Sequence, residues 1–378
     1  MAIRSTLPRL LAAAAVLAAA GGGARTGTAA VGSVGPNGGV DVVAFSPATD
    51  RILVGLEEAP RVRSLWSSDD RGQSWRPARG IAPERGVTAI AFSPSRPDVA
   101  YAGVDWLTPT TLGTGLYVSQ DGGTSWRRAK WSQTIGSSRL PASVETIAVD
   151  PKRPERVYVD TRGILRRSDD GGSTWKRIGG GFPPGVGKPL DQQLVVDSSG
   201  VLYYATGRTR GARQILRSTN GGASWRPVGA GLPARPQAAS RTPRLAIERP
   251  GVVYAALPDA GLYVTRDGGR RWRRVFQFPT ASIGVSNGTV YFLGGPEDVT
   301  PALYRLRGAA KPQPLSSPAI DDFAVDPTDP SRLYGWSWAE DDFVDSTCAR
   351  LYSSRDGGTT WAEIGTRLPL VRHNCRTR

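Results

Sequence analysis

Two kinds of short segment alternate along this chain, and both have the pattern of β-strands. The first kind is a hydrophobic run, a tight turn and a second hydrophobic run, as in VDVVAFSPATDRILVG at 40–55. Short apolar runs bounded by turn residues predict buried or half-buried strands. Seven such strand-turn-strand phrases occur, at 40–55, 87–103, 144–160, 193–206, 244–257, 282–294 and 320–336.

The second kind of segment is a polar turn that ends in tryptophan, with the pattern Ser-x-Asp-x-Gly-x-Ser/Thr-Trp. We refer to it as the box. Its Asp, replaced by Asn in the fourth copy, is expected to accept hydrogen bonds from turn amides, while glycine supplies a positive φ and Trp packs on the sheet. These residues are therefore predicted to be structural: Asp70, Asp121, Asp170, Asn220, Asp267, Asp356, Trp75, Trp126, Trp175, Trp225, Trp272 and Trp361.

The spacing of the boxes predicts the architecture. Successive box tryptophans are 51, 49, 50, 47 and 89 residues apart, so one copy inside the last gap has decayed. Each repeat contains the two-strand phrase, a strand before the box and a short strand after it. Four antiparallel strands repeated around an axis form a propeller blade. The sequence thus predicts an all-β, seven-bladed β-propeller of four-stranded antiparallel blades, as one domain over 32–378.

The box resembles the Asp-box, or BNR repeat, of sialidases, sortilin-type receptors, oligoxyloglucan-processing glycoside hydrolases and photosystem II assembly-factor propellers. The opening GPNGG at 35–39 resembles the start of secreted bacterial BNR-repeat propellers. The resemblance implies that the box turns lie on the outer, lower part of each blade, away from the face that binds substrate. It indicates the fold and leaves the activity open, because one fold supports many functions.

The N-terminus has the pattern of an export signal. Arg4 and Arg9 are followed by the apolar run LLAAAAVLAAA at 10–20, which is too short to cross a bilayer and fits a signal peptide. Residues 1–30 are predicted to be that signal peptide, with cleavage near Ala30. We therefore expect a secreted or cell-envelope protein with no transmembrane segment.

The charge balance is strongly basic, with 48 Lys and Arg against 33 Asp and Glu, a net charge of +15 and a pI near 10.4. Such a charge favours acidic cell-wall or extracellular glycans as partners, or a protein partner. The alternative is compositional drift with a soluble, charged surface. Nucleic acid is not expected as a partner, because the chain is predicted to be exported and has no recognition motif. We expect a monomer.

Several kinds of chemistry are disfavoured. His373 is the only histidine, which argues against multi-histidine metal sites and Ser-His-Asp catalysis, and no phosphate-binding glycine loop occurs. We therefore expect no metal and no cofactor. Sialidases carry an Arg-Ile-Pro phrase and six blades, whereas the xyloglucan enzymes place two carboxyls between two propellers. The sequence predicts seven blades in one propeller and contains no such phrase.

The long loops between the second and third strands, and between blades, share the face opposite the box turns, which we name the upper face. They contain four tryptophans outside the boxes and two charged groups, and these are the predicted ligand-binding residues: Trp106, Trp131, Trp336, Trp338, Glu340, Asp341, Asp342, Arg208, Arg210 and Arg213. Aromatic rings beside polar groups suit sugars or peptides. The alternative is that the tryptophans pack loops on the rim and the charges are solvated.

Two functions follow from these observations. The favoured hypothesis is an exported, non-enzymatic propeller that binds a glycan, peptide or protein through its upper-face loops. The alternative is a glycoside hydrolase, sialidase-like or xyloglucanase-like. Two carboxylates meeting in an upper-face pocket, one with a raised pKa, would favour the enzyme.

The chain contains two cysteines, Cys348 and Cys375. In an exported protein an even pair favours a disulfide. Two free thiols are the alternative.

Overall fold

The computed structural model describes residues 40–56, 64–81, 86–105, 115–130, 133–135, 138–140, 144–161, 164–182, 192–209, 212–233, 242–296, 299–340, 347–364 and 368. These ranges form seven four-stranded antiparallel sheets, and their only helical element is the short 3-10 helix Gly179–Gly181. The predicted seven-bladed β-propeller is therefore confirmed.

In every blade the four strands follow one another in sequence order. Blades 1 and 2 consist of β1 (Val40–Phe45), β2 (Ile52–Leu56), β3 (Leu65–Ser68), β4 (Arg76–Pro77), β5 (Gly86–Phe92), β6 (Ala100–Asp105), β7 (Gly115–Ser119) and β8 (Arg127–Arg128). A hairpin of β9 (Gln133–Ile135) and β10 (Ser138–Leu140) follows. Blades 3 and 4 consist of β11 (Thr146–Val149), β12 (Val157–Thr161), β13 (Ile164–Ser168), β14 (Lys176–Arg177), β15 (Gln192–Val196), β16 (Leu202–Thr209), β17 (Ala212–Ser218) and β18 (Arg226–Pro227).

Blades 5 to 7 complete the ring. They consist of β19 (Arg244–Arg249), β20 (Val252–Leu257), β21 (Gly261–Thr265), β22 (Arg273–Phe276), β23 (Thr280–Ser286), β24 (Thr289–Gly294), β25 (Ala302–Arg307), β26 (Gln313–Pro314), β27 (Asp322–Val325), β28 (Leu333–Glu340), β29 (Thr347–Ser354) and β30 (Ala362–Glu363). Blade 6 is the one without a box, as predicted. A short turn closed by Ala310 N and Arg307 O, 3.1 Å apart, replaces it.

The box of blade 2 shows how these turns are held. Ser119 Oγ donates to Asp121 Oδ1 at 2.8 Å and accepts from Gly123 N at 2.8 Å. The other end of the turn bonds to the same carboxylate, through Ser125 N to Oδ1 at 2.8 Å and Ser125 Oγ to Oδ2 at 2.5 Å. Trp126 Nε1 donates to Gly123 O at 2.9 Å. The Asp therefore organises the turn, and the Trp closes it.

Each box also packs on a neighbouring blade. Gly123 has a φ of +91°, and a Cβ added there would lie 2.7 Å from Leu53 Cδ1 of blade 1. A side chain at this position would meet both backbone strain and a steric clash. The glycine is thus required by the turn and by the approach of two blades.

The core lies between adjacent blades, where apolar side chains of the first three strands are buried. Between blades 7 and 1 the rings of Phe45 and Tyr334 lie 5.4 Å apart, and Tyr334 Oη donates to Arg71 O at 3.3 Å. Among the described strands, none is exchanged across this junction. Side-chain packing between the described residues therefore contributes to ring closure.

Among the described residues, no helix is long and apolar enough to span a bilayer.

Candidate functional site

The strand order places the start of every innermost strand at the upper face. The first strands of successive blades contact one another around the axis, so they are innermost. Because neighbouring strands are antiparallel, their first residues share an edge with the blade-to-blade connections and lie opposite the box turns. At this edge the first strands carry polar residues, which we name the polar collar: Asp41, Thr88, Thr146, Gln193, Arg244, Ser282 and Asp322.

Three collar residues join neighbouring blades. Thr88 Oγ1 donates to Val144 O at 2.6 Å, from blade 2 to blade 3. Gln193 Nε2 donates to Leu245 O at 3.3 Å, and its Oε1 accepts from Leu245 N. Ser282 Oγ donates to Asp322 Oδ1 between blades 6 and 7. Thr88 and Gln193 therefore have a structural role that accounts for their burial.

Asp322 has an environment unlike that of an ordinary aspartate. It is 3% exposed, and its Oδ1 also accepts from Phe323 N at 2.7 Å. Burial raises the pKa of Asp322 to about 6, even though Arg244, Ser282 and the Phe323 N–H act in the opposite direction. Its Oδ2 has no hydrogen-bond partner within the described part of the chain. The carboxyl group is thus protonated below pH 6 and has one oxygen uncommitted.

Arg244 is the only cation of the collar. It is half-buried at the start of β19, and its Nη1 is buried without a hydrogen-bond partner in the described residues. A buried guanidinium nitrogen that lacks a partner is costly. The charge of Arg244 in blade 5 therefore acts on Asp322 in blade 7 across the axis, at the opening of the central channel that the innermost strands surround.

Asp41 is the collar carboxyl in blade 1, which adjoins blade 7. It is 3% exposed and occupies a β-bulge, because the register of β1 against β2 shifts between Val40 and Val42. Bulges are frequent next to active sites, where they re-aim a side chain. The same register shift carries Thr88 in blade 2 and Ala281 in blade 6. In blade 3 Glu145 N bonds to Asp160 O although Asp160 pairs with Thr146, so the buried Glu145 is a second carboxyl at the equivalent position.

A tyrosine–carboxylate pair lies deeper between blades 3 and 4. Tyr204 Oη donates to Asp160 Oδ2 at 2.9 Å, and both residues are fully buried. Burial, and then the Asp160 charge, raises the pKa of Tyr204 well above its usual value. Phe182 stacks on the Tyr204 ring with the centroids 5.4 Å apart. Because no surface of the pair is open, its role is in packing.

The predicted charged groups lie on different blades. Each group lies on a hairpin formed by the second and third strands of its blade, and each hairpin extends beyond the innermost strand. In blade 4, β16 pairs with β17 as far as Thr209; in blade 7, β28 pairs with β29 as far as Glu340. Blades 4 and 7 are three positions apart in the ring, so the structure does not bring the two groups together. The following residues are placed on strands, but their side chains are not described: Arg208, Arg213, Trp338 and Glu340.

Several predicted residues lie outside the described ranges, and they are Trp106, Trp131, Arg210, Asp341 and Asp342. The predicted disulfide stays a prediction for a similar reason. Cys375 lies outside the described ranges, and Cys348 is placed in β29 without a described side chain.

Trp336 is a correction to the predicted ligand-binding set. Its side chain is 0% exposed and belongs to the apolar cluster between blades 7 and 1, with Val54 and Leu351. It cannot offer its ring to a ligand in this position. The sequence placed Trp336 in a loop, whereas β28 continues through it to Glu340.

Sequence analysis did not single out Asp322, Ser282 or Arg244. A signal was present, because every first strand carries a polar residue near its start, within an otherwise apolar run. Asp322 stands in IDDFAVDP, and Arg244 stands in RLAIER. A polar residue at the start of a buried strand needs a partner across the axis, and the sequence alone does not show which residue that is.

A polar pocket of about 240 Å³ lies on the lower side, where blades 7 and 1 meet. Its lining includes Asp50, Asp329 and Arg332, which pair with one another: Arg332 Nε lies 3.0 Å from Asp329 Oδ2, and Arg332 Nη1 lies 2.8 Å from Asp50 Oδ1. The opposite charges compensate each other. The residues of this pocket therefore help to join blades 7 and 1.

Two bacterial xyloglucanases resemble this chain in sequence. The chain is 24% identical over 343 residues to the xyloglucanase Xgh74A of Acetivibrio thermocellus, covering 78% of this chain and 39% of that protein. It is 26% identical over 337 residues to a xyloglucanase of Paenibacillus sp., covering 74% of this chain and 31% of that protein. The chain thus spans less than two fifths of the length of these relatives. No family model matches the sequence.

Two solved structures share the fold. One is an ancestral GH74 enzyme, with a TM-score of 0.55 and 16% identity, covering 88% of this chain and 45% of that chain. The other is the extracellular domain of a hybrid two-component system of B. thetaiotaomicron, with a TM-score of 0.54 and 12% identity, covering 81% of this chain and 38% of that chain. At these identities the likeness concerns the fold alone.

These relatives correct the functional hypothesis that the sequence favoured. A non-enzymatic binding propeller was preferred because no catalytic motif was visible. The curated sequences that resemble this chain over about three quarters of its length are xyloglucanases. The glycoside hydrolase alternative is therefore better supported than the binder.

Proposed function

We propose that this chain is the propeller unit of an exported glycoside hydrolase that acts on a β-glucan of the xyloglucan type. The observation that carries the proposal is the similarity to two bacterial xyloglucanases over 78% and 74% of the chain. The proposal concerns the part of those enzymes that this chain shares. Export rests on the signal-peptide pattern of residues 1–30.

We assign the general acid to Asp322. A general acid must be protonated at the working pH, and a pKa raised to about 6 by burial meets that need. Its Oδ1 is fixed by Ser282 and Phe323, which leaves Oδ2 to donate a proton to the glycosidic oxygen. The innermost position at the upper face would place this atom beneath a glycan lying across the channel opening.

Glycoside hydrolysis needs a second carboxyl group, as nucleophile or as base. Asp41 is the collar residue that suits this role, since it lies in the adjoining blade and is directed by a bulge. Arg244 contributes differently. Its positive charge lowers the pKa of Asp322 and so limits the effect of burial, while its guanidinium N–H groups would donate hydrogen bonds to a sugar hydroxyl.

The proposal is tested by incubating the purified full chain with xyloglucan and measuring new reducing ends. Unsubstituted β-glucan serves as the comparison substrate. No release from either polymer would contradict the proposed function. Loss of activity as the pH rises through about 6 is expected, because Asp322 then loses its proton.

The assignment of Asp322 has a matched control in its neighbour Asp321, which is exposed. Asp322→Asn should lower kcat by about 100-fold or more, since general acid catalysis contributes roughly that factor. Because the Asp321 charge helps to raise the pKa of Asp322, the control is measured below pH 5, where Asp322 is protonated, and Asp321→Asn should there leave kcat within about twofold of the unsubstituted chain. Xyloglucan hydrolysis that survives Asp322→Asn would contradict this assignment and leave the proposed function standing.

A further inference from the structure

The box of blade 5 departs from the other copies. It reads TRDGGRRW, with Arg270 and Arg271 before the tryptophan. At the position of Arg271 the other five boxes have a hydroxyl residue, namely Ser74, Ser125, Thr174, Ser224 and Thr360. The departure is therefore specific to this blade.

The substitution removes a bond that holds the turn. In blades 2 and 3 the hydroxyl donates to the second oxygen of the box aspartate at 2.5 Å, from Ser125 to Asp121 and from Thr174 to Asp170. In blade 5 Asp267 keeps only the backbone bond from Arg271 N, at 3.0 Å to Oδ1, at that end of the turn. The tryptophan of this box bonds instead to the neighbouring blade, through Trp272 Nε1 and Val228 O. That bond does not involve the arginine side chains, so it does not explain why Arg270 and Arg271 are present.

Five arginines stand within nine residues at this corner of the ring, and we name them the blade 5 arginine cluster: Arg266, Arg270, Arg271, Arg273 and Arg274. All five are exposed, and Asp267 is the one acidic residue among them. None of the five forms an ion pair within the described part of the chain. Cations held this close repel one another and attract an anionic partner.

Several arginines on other blades lie in ion pairs. Arg51 lies 2.6 Å from Asp69, Arg156 lies 2.7 Å from Asp169, and Arg96 lies 3.0 Å from Asp98. The blade 5 cluster differs from these sites because it lacks local acidic partners. Its charge is available to a ligand.

We infer that the blade 5 arginine cluster binds an acidic polysaccharide, a linear chain that carries carboxylate groups at regular intervals. The guanidinium group binds carboxylates through two parallel hydrogen bonds. The arginines run from the turn onto β22, the outer edge strand of the blade, so they offer an extended row. This corner lies opposite the upper face, and the inference is independent of the proposed hydrolase activity.

The surroundings of the cluster favour a polysaccharide over other polyanions. Its nearest tryptophan, Trp272, is 5% exposed, so it offers no aromatic surface for stacking bases. The exposed large hydrophobic residue of the described chain is Val299 in blade 6, so nothing apolar in the cluster would insert into a membrane.

The test uses the full chain and polygalacturonate as the probe, with binding measured at several salt concentrations. The double variant Arg270→Thr with Arg271→Ser rebuilds the box sequence GGTSW of blade 2 and should fold. For the unsubstituted chain, the logarithm of the binding constant should fall linearly with the logarithm of the salt concentration. At low salt the double variant should bind at least about tenfold more weakly. The slope of its log K against log salt should be smaller in magnitude by about two.

The matched control removes the same charge elsewhere. Arg127→Thr with Arg177→Ser alters exposed residues on the edge strands of blades 2 and 3 and should leave affinity within about twofold. An equal loss in both double variants would overturn the inference, because only net charge would matter. Absence of binding at low salt, or tighter binding to duplex DNA or phosphatidylglycerol vesicles, would overturn it too.

Discussion

Arg332 in the last blade donates from Nη1 to Asp50 Oδ1 in the first blade at 2.8 Å, across 282 residues of sequence. Among the described strands, none is shared between these blades, since each blade is built from four consecutive strands. Arg71 also reaches Asp50, with Nη2 and Oδ2 2.9 Å apart. Arg332 further contacts Asp326 Oδ2 at 3.4 Å. This ion-pair network is the polar part of ring closure.

Arg332→Ala is expected to lower the free energy of unfolding by about 1–3 kcal/mol, because the buried Asp326 would lose its cation. Urea denaturation monitored by tryptophan fluorescence measures the change. Arg96→Ala is the control, since Arg96 pairs with Asp98 and Glu155 at the surface. Exposed pairs contribute about 0–1 kcal/mol. Equal costs for the two variants would argue against a special role for Arg332 in closure.

Asp322 is expected to make the protein less stable as the pH rises from about 4 to 6. Its pKa is about 6 in the fold against a usual value of 3.8, so the folded state binds the extra proton in that window. The contribution of Asp322 to the free energy of unfolding is therefore greatest below pH 4 and is lost as the pH rises through 6. Arg244 and Asp321 also act on this carboxyl, Arg244 lowering its pKa and Asp321 raising it.

Asp322→Asn removes that dependence. As the pH rises from 4 to 7, the free energy of unfolding of the variant should increase by up to about 3 kcal/mol relative to that of the unsubstituted chain. This figure follows from 1.36 kcal/mol per unit of pKa shift. Thermal or urea unfolding at pH 4, 5, 6 and 7 measures the difference. A difference that stays constant over this range would show that Asp322 has an ordinary pKa.

Trp126→Ala is expected to lower the free energy of unfolding by about 3–5 kcal/mol, the usual figure for a buried tryptophan. Trp126 is 5% exposed and its Nε1 bonds to Gly123 O. Trp75→Ala should cost less, because Trp75 is half-buried and its Nε1 lacks a partner in the described residues. Urea unfolding of both variants compares them. If Trp126→Ala melts within a degree or two of the parent, the box tryptophan is not a packing element.

A disulfide between Cys348 and Cys375 is expected in the exported protein. The bond would close a loop of 27 residues and stabilise the chain by roughly 3–4 kcal/mol on the chain-entropy argument. Mass spectrometry of peptides prepared without reduction detects the cross-link. Recovery of both cysteines as unmodified thiols from oxidised, secreted protein would refute the pairing.

The sequence was sufficient to predict the ring because the relevant signals are local. The Asp and the hydroxyl residue of each box form their bonds within the turn, and in blade 2 all the bonds from Ser119 to Trp126 lie within eight residues. The count of seven blades follows from the spacing of Trp272 and Trp361, which leaves room for a blade without a box. Local hydrogen bonds and period-two patterning thus fix the blades and their number.

The site depended on contacts that span the ring. Asp322 and Ser282 are 40 residues apart, and their bond forms only when blades 6 and 7 meet. Trp336 lies in a segment with loop-like polar neighbours, but its burial follows from the length of β28 and the packing of blade 1. The sequence alone determined a seven-bladed propeller and its box turns, because those depend on interactions close along the chain. Only the tertiary structure decided which polar residues are buried together at the channel opening, because burial and a shifted pKa depend on which blades become neighbours.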